Sequence, residues 1–136
     1  MKKLIAVILG AVLLLAACAP ASDSFDEAVE NMRATAEDSF SYVEIIGNES
    51  SVTMYLGDYG LGSEVDNLRD LGYGADQDDW MYAKELLIST WNAVVRYFDD
   101  CGYPNVQVHI IVVDDRDNNT ILLTVVDGVV TYDCLA

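Results

Sequence analysis

The chain has 136 residues, with 23 acidic against 7 basic side chains and a formal charge of −16 at neutral pH. A surface so negative repels phosphate backbones and anionic headgroups, which excludes nucleic acid and anionic lipid as direct partners. A single histidine in the whole chain rules out metal sites built from several imidazoles.

Lys2 and Lys3 open the chain, and Leu4 to Ala17 follows as an uncharged apolar run interrupted only by Gly10. That run suits the core of an export signal and falls short of the about 20 apolar residues that cross a bilayer. It ends in Leu15-Ala16-Ala17-Cys18. This segment resembles the bacterial lipoprotein signal, whose Leu-(Ala/Ser)-(Gly/Ala)-Cys box it matches at every position. The resemblance covers residues 1–18 alone. It implies that residues 1–17 are a signal peptide, that the Cys18 thiol takes a diacylglycerol, and that cleavage leaves Cys18 as the first residue of the mature chain. Acyl chains such as palmitate would then hold the protein on the cell membrane, facing away from the cytoplasm. Two chains, at roughly 0.8 kcal/mol per buried methylene, retain a protein where one releases it. Residues 18–23 become a lipidated tether, of which Ala19 to Asp23 spans at most about 18 Å. An acidic domain held that close to a bilayer is pushed to expose its far side.

Residues 24–136 have the size of one domain with a real core. Ser24, with Glu27 three positions on, makes a capping box for a helix over 25–39. Phe25, Val29, Met32, Ala36 and Phe40 form its apolar stripe. Strands over 41–46 and 51–56 flank Gly47-Asn48-Glu49-Ser50 and read as a hairpin. A Gly-punctuated stretch, 57–79, contains a short helix expected from a Ser63 cap to Gly72. A long helix over 78–100 shows Trp80, Ala83, Leu87, Trp91, Val94 and Phe98 on one face and ends at Gly102 and Pro104. Both tryptophans therefore read as packing residues.

The last third is a three-stranded meander over 105–113, 120–126 and 129–132, with Asp127-Gly128 as its hairpin turn. The expected architecture is α+β, with helices packed on an antiparallel sheet. Val106, Val108, Ile110 and Val112 make one face of the first meander strand. The other face is mixed: Ile111 and Val113 stand with Gln107 and His109, and Leu122 and Val126 continue the apolar theme. Either the N-terminal helix covers this second face or a partner does.

The chemistry-bearing residues form no catalytic constellation. His109 sits inside a strand with no Gly-x-Ser-x-Gly elbow in the chain, which makes it a sheet residue. Asp115-x-Asp117-x-Asn119 resembles the opening of a calcium loop, yet Thr120 stands where the glycine belongs and Val126 where the bidentate glutamate belongs. A polar hairpin turn explains it better. Asp78 and Asp79 complement a helix N-terminus. No metal or cofactor site is expected. Cys101 and Cys134 are an even pair in an exported chain and are expected to bridge, although their places at the start of one meander strand and the end of a parallel one work against contact. Tyr59, Tyr73, Asp58 and Asp76, in the irregular stretch, are the candidate ligand contacts.

These features favour a non-catalytic, lipid-anchored binding or accessory protein of the bacterial cell envelope, meeting a protein, peptide or glycan. Two alternatives stand: a small envelope enzyme or subunit using loop carboxylates such as Asp58 and Asp76, and a structural module pairing through the second sheet face. Cys18→Ala is expected to move the protein from the membrane to the soluble fraction and to abolish incorporation of labelled palmitate. Membrane retention of that variant would refute the anchor.

Overall fold

Every helix must satisfy the N–H groups that its first turn leaves without intrahelical acceptors, and among the described residues three different devices do so. The computed structural model describes residues 24–136; the leader, Cys18 and the tether lie outside the described residues. Helix α1 (Phe25–Glu37) opens at Ser24, whose Oγ accepts the Glu27 N–H at 3.1 Å. The hairpin β1 (Tyr42–Asn48) and β2 (Ser51–Gly57) follows, then α2 (Leu61–Asp70) and α3 (Asp78–Asp100). Gln77 caps α3, its Oε1 accepting the Trp80 N–H at 2.8 Å. The meander comprises β3 (Gln107–Val113), β4 (Ile121–Val126) and β5 (Val129–Asp133).

Helix α2 departs from the Ser63 start. It begins three residues earlier, its cap being Gly60 in the left-handed region and not Ser63, with no local side-chain cap. The acceptor arrives from elsewhere in the chain: the Asp115 carboxylate takes the N–H groups of Gly60 and Gly62, both at 2.9 Å. A cap supplied by a residue more than 50 positions away has no local sequence signature.

The strands form one sheet in the order β1-β2-β3-β4-β5. Its pairs are antiparallel except β2 with β3, which run parallel over Ser51–Gln107 to Leu56–Val112. The α+β class is as expected, but the sheet is mixed rather than antiparallel. The reason lies in the connection: α2 and α3 carry the chain from the end of β2 back to its start, and a crossover of that length returns the next strand in the same direction.

One face of the sheet holds the core. Val52, Met54, Leu56, Val108, Ile110 and Val125 are each at most 1% exposed and lie in one cluster with Met32 of α1, Val65 of α2, and Leu87 and Phe98 of α3. The α1 and α3 helices lock together where Phe25 stacks on Phe98 at 5.7 Å and meets Tyr103 edge-on at 5.1 Å, while the Tyr97 hydroxyl donates to the Ala28 carbonyl at 2.8 Å. These contacts place the N-terminal helix on the same side as α3. A register shift between Val112 and Val113 turns both Leu122 and Leu123 inward, so Leu122 belongs to the core and not to the second face.

The expected Cys101–Cys134 bridge is not formed; neither sulfur is in a disulfide, and both residues are half-buried. Lys84, near the start of α3, touches Asp133, the neighbour of Cys134. Cys101 caps the far end of the same helix, about 25 Å further along its axis at 1.5 Å per residue. A disulfide needs Cα atoms within about 7 Å.

Leu87 is fully enclosed under the sheet. Leu87→Ala is expected to lower unfolding free energy by about 2–5 kcal/mol in a urea titration, with a cooperative transition retained.

Candidate functional site

With all three helices contributing to one core cluster, no helix of the described residues covers the opposite face of the sheet. Its side chains fall into cross-strand rows set by the register. Asn48, Ser51 and Gln107 form a short polar row at the β1–β2 turn; Ile46, Thr53, His109, Val126 and Val129 form the next; Glu44, Tyr55, Ile111, Thr124 and Tyr132 follow; Tyr42, Gly57, Val113 and Ile121 form the last. In a chain with 23 carboxylates, this face carries only one, Glu44, and among the described residues no lysine or arginine. Ile46, Ile121, Val129 and Tyr132 are 41–60% exposed on it. The question left by the sequence is thus answered: α1 leaves the second face open.

The face has a hollow of about 360 Å³ toward the last row, lined by Tyr42, Glu44, Ile46, Tyr55, Val113 and Ile121 and rimmed by Asn118 and Asn119 from the β3–β4 connection. Gly57 lies beneath it, among three of these lining residues. A Cβ there would stand 3.3 Å from Tyr42 Cβ and 3.6 Å from both Val113 Cγ2 and the Asn118 side-chain oxygen. Asn118 reaches this position from a left-handed backbone, φ 52°, a conformation that Asn tolerates better than most residues. Within the hollow the Tyr42 hydroxyl donates to Glu44 Oε2 at 2.6 Å. That hydrogen bond to a carboxylate, followed by burial, raises the Tyr42 pKa above its usual 10.0 and keeps the phenol protonated. Val113, 1% exposed, is buried on this face, outside the main core cluster.

The β3–β4 connection is a polar turn that braces α2. Asp117 accepts the N–H groups of Asn119 and Thr120 and the Thr120 hydroxyl; the hydroxyl bond and then the backbone bonds lower its pKa to about 2. Asp114, buried, takes a fork of hydrogen bonds from Arg116, which lowers its pKa against the opposing effect of burial. Arg116 continues to Asp66 on α2 at 2.7 Å. The Asp114 carboxylate presses so close to Gly62 that a Cβ there would collide with it. The Asp115 and Asp117 carboxylates are therefore taken up by the α2 cap and the turn, and no group of three or more His, Cys, Asp or Glu among the described residues could hold a metal ion.

A second polar knot ties β5 to α3. Asp133 accepts from Lys84 Nζ at 2.8 Å, from Trp80 Nε1 at 3.0 Å and from the Leu135 N–H at 2.9 Å. Lys84 also donates to the Ala75 carbonyl. Burial pushes the Asp133 pKa up, and the bonds from Lys84, Leu135 and Trp80 together outweigh it, leaving it lowered. Trp80 is 1% exposed, and the Trp91 indole donates to the Val108 carbonyl at 2.7 Å, so both tryptophans are packing residues.

The four residues singled out in the irregular stretch do not converge. Asp58 and Tyr59 precede α2, while Tyr73 and Asp76 follow it, a separation of about 15 Å along a ten-residue helix. Tyr59 and Tyr73 are 76% and 50% exposed, each on its own. His109 is a half-buried open-face residue between Thr53 and Val126. Tyr42, Glu44, Tyr55, Gly57 and Asn118, which do come together, escaped notice because they lie on the ends of two strands and a distant turn. The alternation Tyr42-x-Glu44-x-Ile46, which places all three on one face of an edge strand, was the available signal.

Asp133→Asn is expected to destabilise the protein at neutral pH by about 2 kcal/mol, in the range for a hydrogen bond to a charged group. Because the native-state pKa of Asp133 is depressed, its contribution is present above the unfolded value near 3.9 and disappears as pH falls through the native value. Urea titrations between pH 6 and about 2 should show a shallower acid loss in the variant than in the wild type.

No protein-family model, no curated protein and no solved structure matches this chain, so no relative lends a role to any of these residues.

Proposed function

We propose that this chain is a lipid-anchored accessory protein of the bacterial cell envelope, which acts by binding a partner on the open face of its sheet and not by catalysis. The observation that carries the binding surface is the composition of that face. Charge is nearly absent from it in a strongly acidic protein, while isoleucine, valine and tyrosine side chains stand exposed across the rows. Exposed apolar patches with a polar rim mark interaction surfaces. The anchor rests on the Leu15–Cys18 box alone.

The loop residues Tyr59, Tyr73, Asp58 and Asp76 give this reading less support than the open face does, because α2 stands between the two pairs. The same spacing weakens an enzyme built on Asp58 and Asp76: paired carboxylates in glycoside hydrolysis stand about 5–9.5 Å apart. A structural pairing module that uses the open face differs from the proposed reading only in what occupies it.

Ile46→Glu and Tyr132→Glu place charge on exposed positions of the face and should leave the melting temperature unchanged. In a crosslinked pull-down from intact envelopes, the wild type is expected to capture a partner that both variants lose. Capture that survives both substitutions would remove the open face from the function.

A further inference from the structure

We propose that the hollow on the open face receives the primary ammonium of a lysine side chain, presented by an otherwise apolar segment of an envelope protein. This rests on the open face being the binding surface.

Glu44 is the centre of the hollow's chemistry. It stands opposite Tyr55 in the neighbouring strand and two residues from Tyr42 on its own, so it has two tyrosines as neighbours on the face. Tyr42 donates to one carboxylate oxygen, which orients the group and leaves the second oxygen for a further donor. Among the described residues no cation pairs with Glu44. Arg33, Arg69, Lys84 and Arg116 are each spent on carbonyls or other carboxylates, and Arg96 lies on the exposed face of α3. An oriented carboxylate with two tyrosines as neighbours suits a cation, through charge and through attraction to the ring faces. The Asn118 side-chain oxygen, held over Gly57, is a further acceptor for an ammonium with three N–H groups. The negative field of the whole chain draws in positive ligands and repels anionic ones.

Size and position select the source. About 360 Å³ fits one long side chain, whereas the surrounding rows of Ile46, Ile111, Thr124 and Tyr132 extend well past the hollow and would remain uncovered by a small amine. Ser24 and the β1–β2 turn line a common cleft at the other end of the sheet. The described chain thus begins about 13 Å, four residues along β1, from Glu44.

The test uses the full-length chain in a nonionic detergent, with backbone amide shifts followed by NMR during titration. The probes are butylammonium, the peptide acetyl-Val-Lys-Val-amide, and the same peptide with norleucine in place of lysine. The lysine peptide is expected to shift the amides of Tyr42, Glu44, Tyr55 and Asn118, and to bind at least about tenfold more tightly than either other probe, a factor well resolved by such titrations. Glu44→Gln should erase the advantage of lysine over norleucine without moving the melting temperature. Equal binding of the two peptides to the wild type, or an advantage that survives Glu44→Gln, would overturn the ammonium site. Butylammonium binding as tightly as the lysine peptide would overturn the protein source in favour of a small amine. Should the ammonium arm fail while Ile46→Glu still abolishes partner capture, the open face stands and only its ligand class falls.

Discussion

The parallel pairing of β2 with β3 is the constraint on which the rest of this fold depends. It joins an N-terminal hairpin to a C-terminal meander that otherwise would be two small sheets, each too narrow to support itself. The crossover that permits it lays α3, about 35 Å long, across strands of about 23 Å. That single placement determines which face becomes core, which end of the sheet receives the α2 brace, and where Cys101 and Cys134 come to rest. Once α3 occupies the inner face and α1 docks against its C-terminal turns through Phe25 and Phe98, no element remains among the described residues to cover the other side.

Two polar knots hold the crossover at one end of the sheet. Asp133 fastens the start of α3 to the last strand, and the Asp114–Arg116–Asp66 chain with Asp115 fastens α2 to the β3–β4 turn. Their carboxylates spend their capacity on backbone N–H groups, an indole, a lysine and an arginine. Such bonds specify one arrangement of elements more than they add net stability, since desolvation offsets much of the attraction. They also show why, among the described residues, no group of carboxylates could hold a metal ion: those that gather around Arg116 and Lys84 are already structural ligands of the fold.

What could be read from the sequence was what short-range chemistry decides. The Ser24 box, the stripe from Trp80 to Phe98 and the Asp127-Gly128 turn each involve residues within a few turns of one another, and each element formed close to its expected bounds. The α2 cap and the Lys84–Asp133 pair bring together residues 49 to 55 positions apart, the hollow sets Tyr42 beside Asn118, 76 positions further on, and periodicity carries no information at that range. Parallel pairing was hidden for the same reason, since both antiparallel and parallel neighbours leave an identical alternation along a strand. The cysteines misled because pair counting ignores where a long helix delivers its two ends. Among candidate site residues, aromatic and acidic side chains in loops drew attention by type, whereas Tyr42 and Glu44 looked like ordinary edge-strand residues.

Gly57 illustrates how surface shape and robustness compete at one position. Its backbone is ordinary and demands no glycine, and a glycine inside a strand weakens it by about 0.5–1 kcal/mol relative to alanine. The fold therefore carries a soft spot where its open face is hollowed. A side chain at this position would crowd Tyr42, Val113 and the Asn118 oxygen, three of the groups that line the hollow. The glycine thus keeps the floor between them clear at a small sacrifice of rigidity.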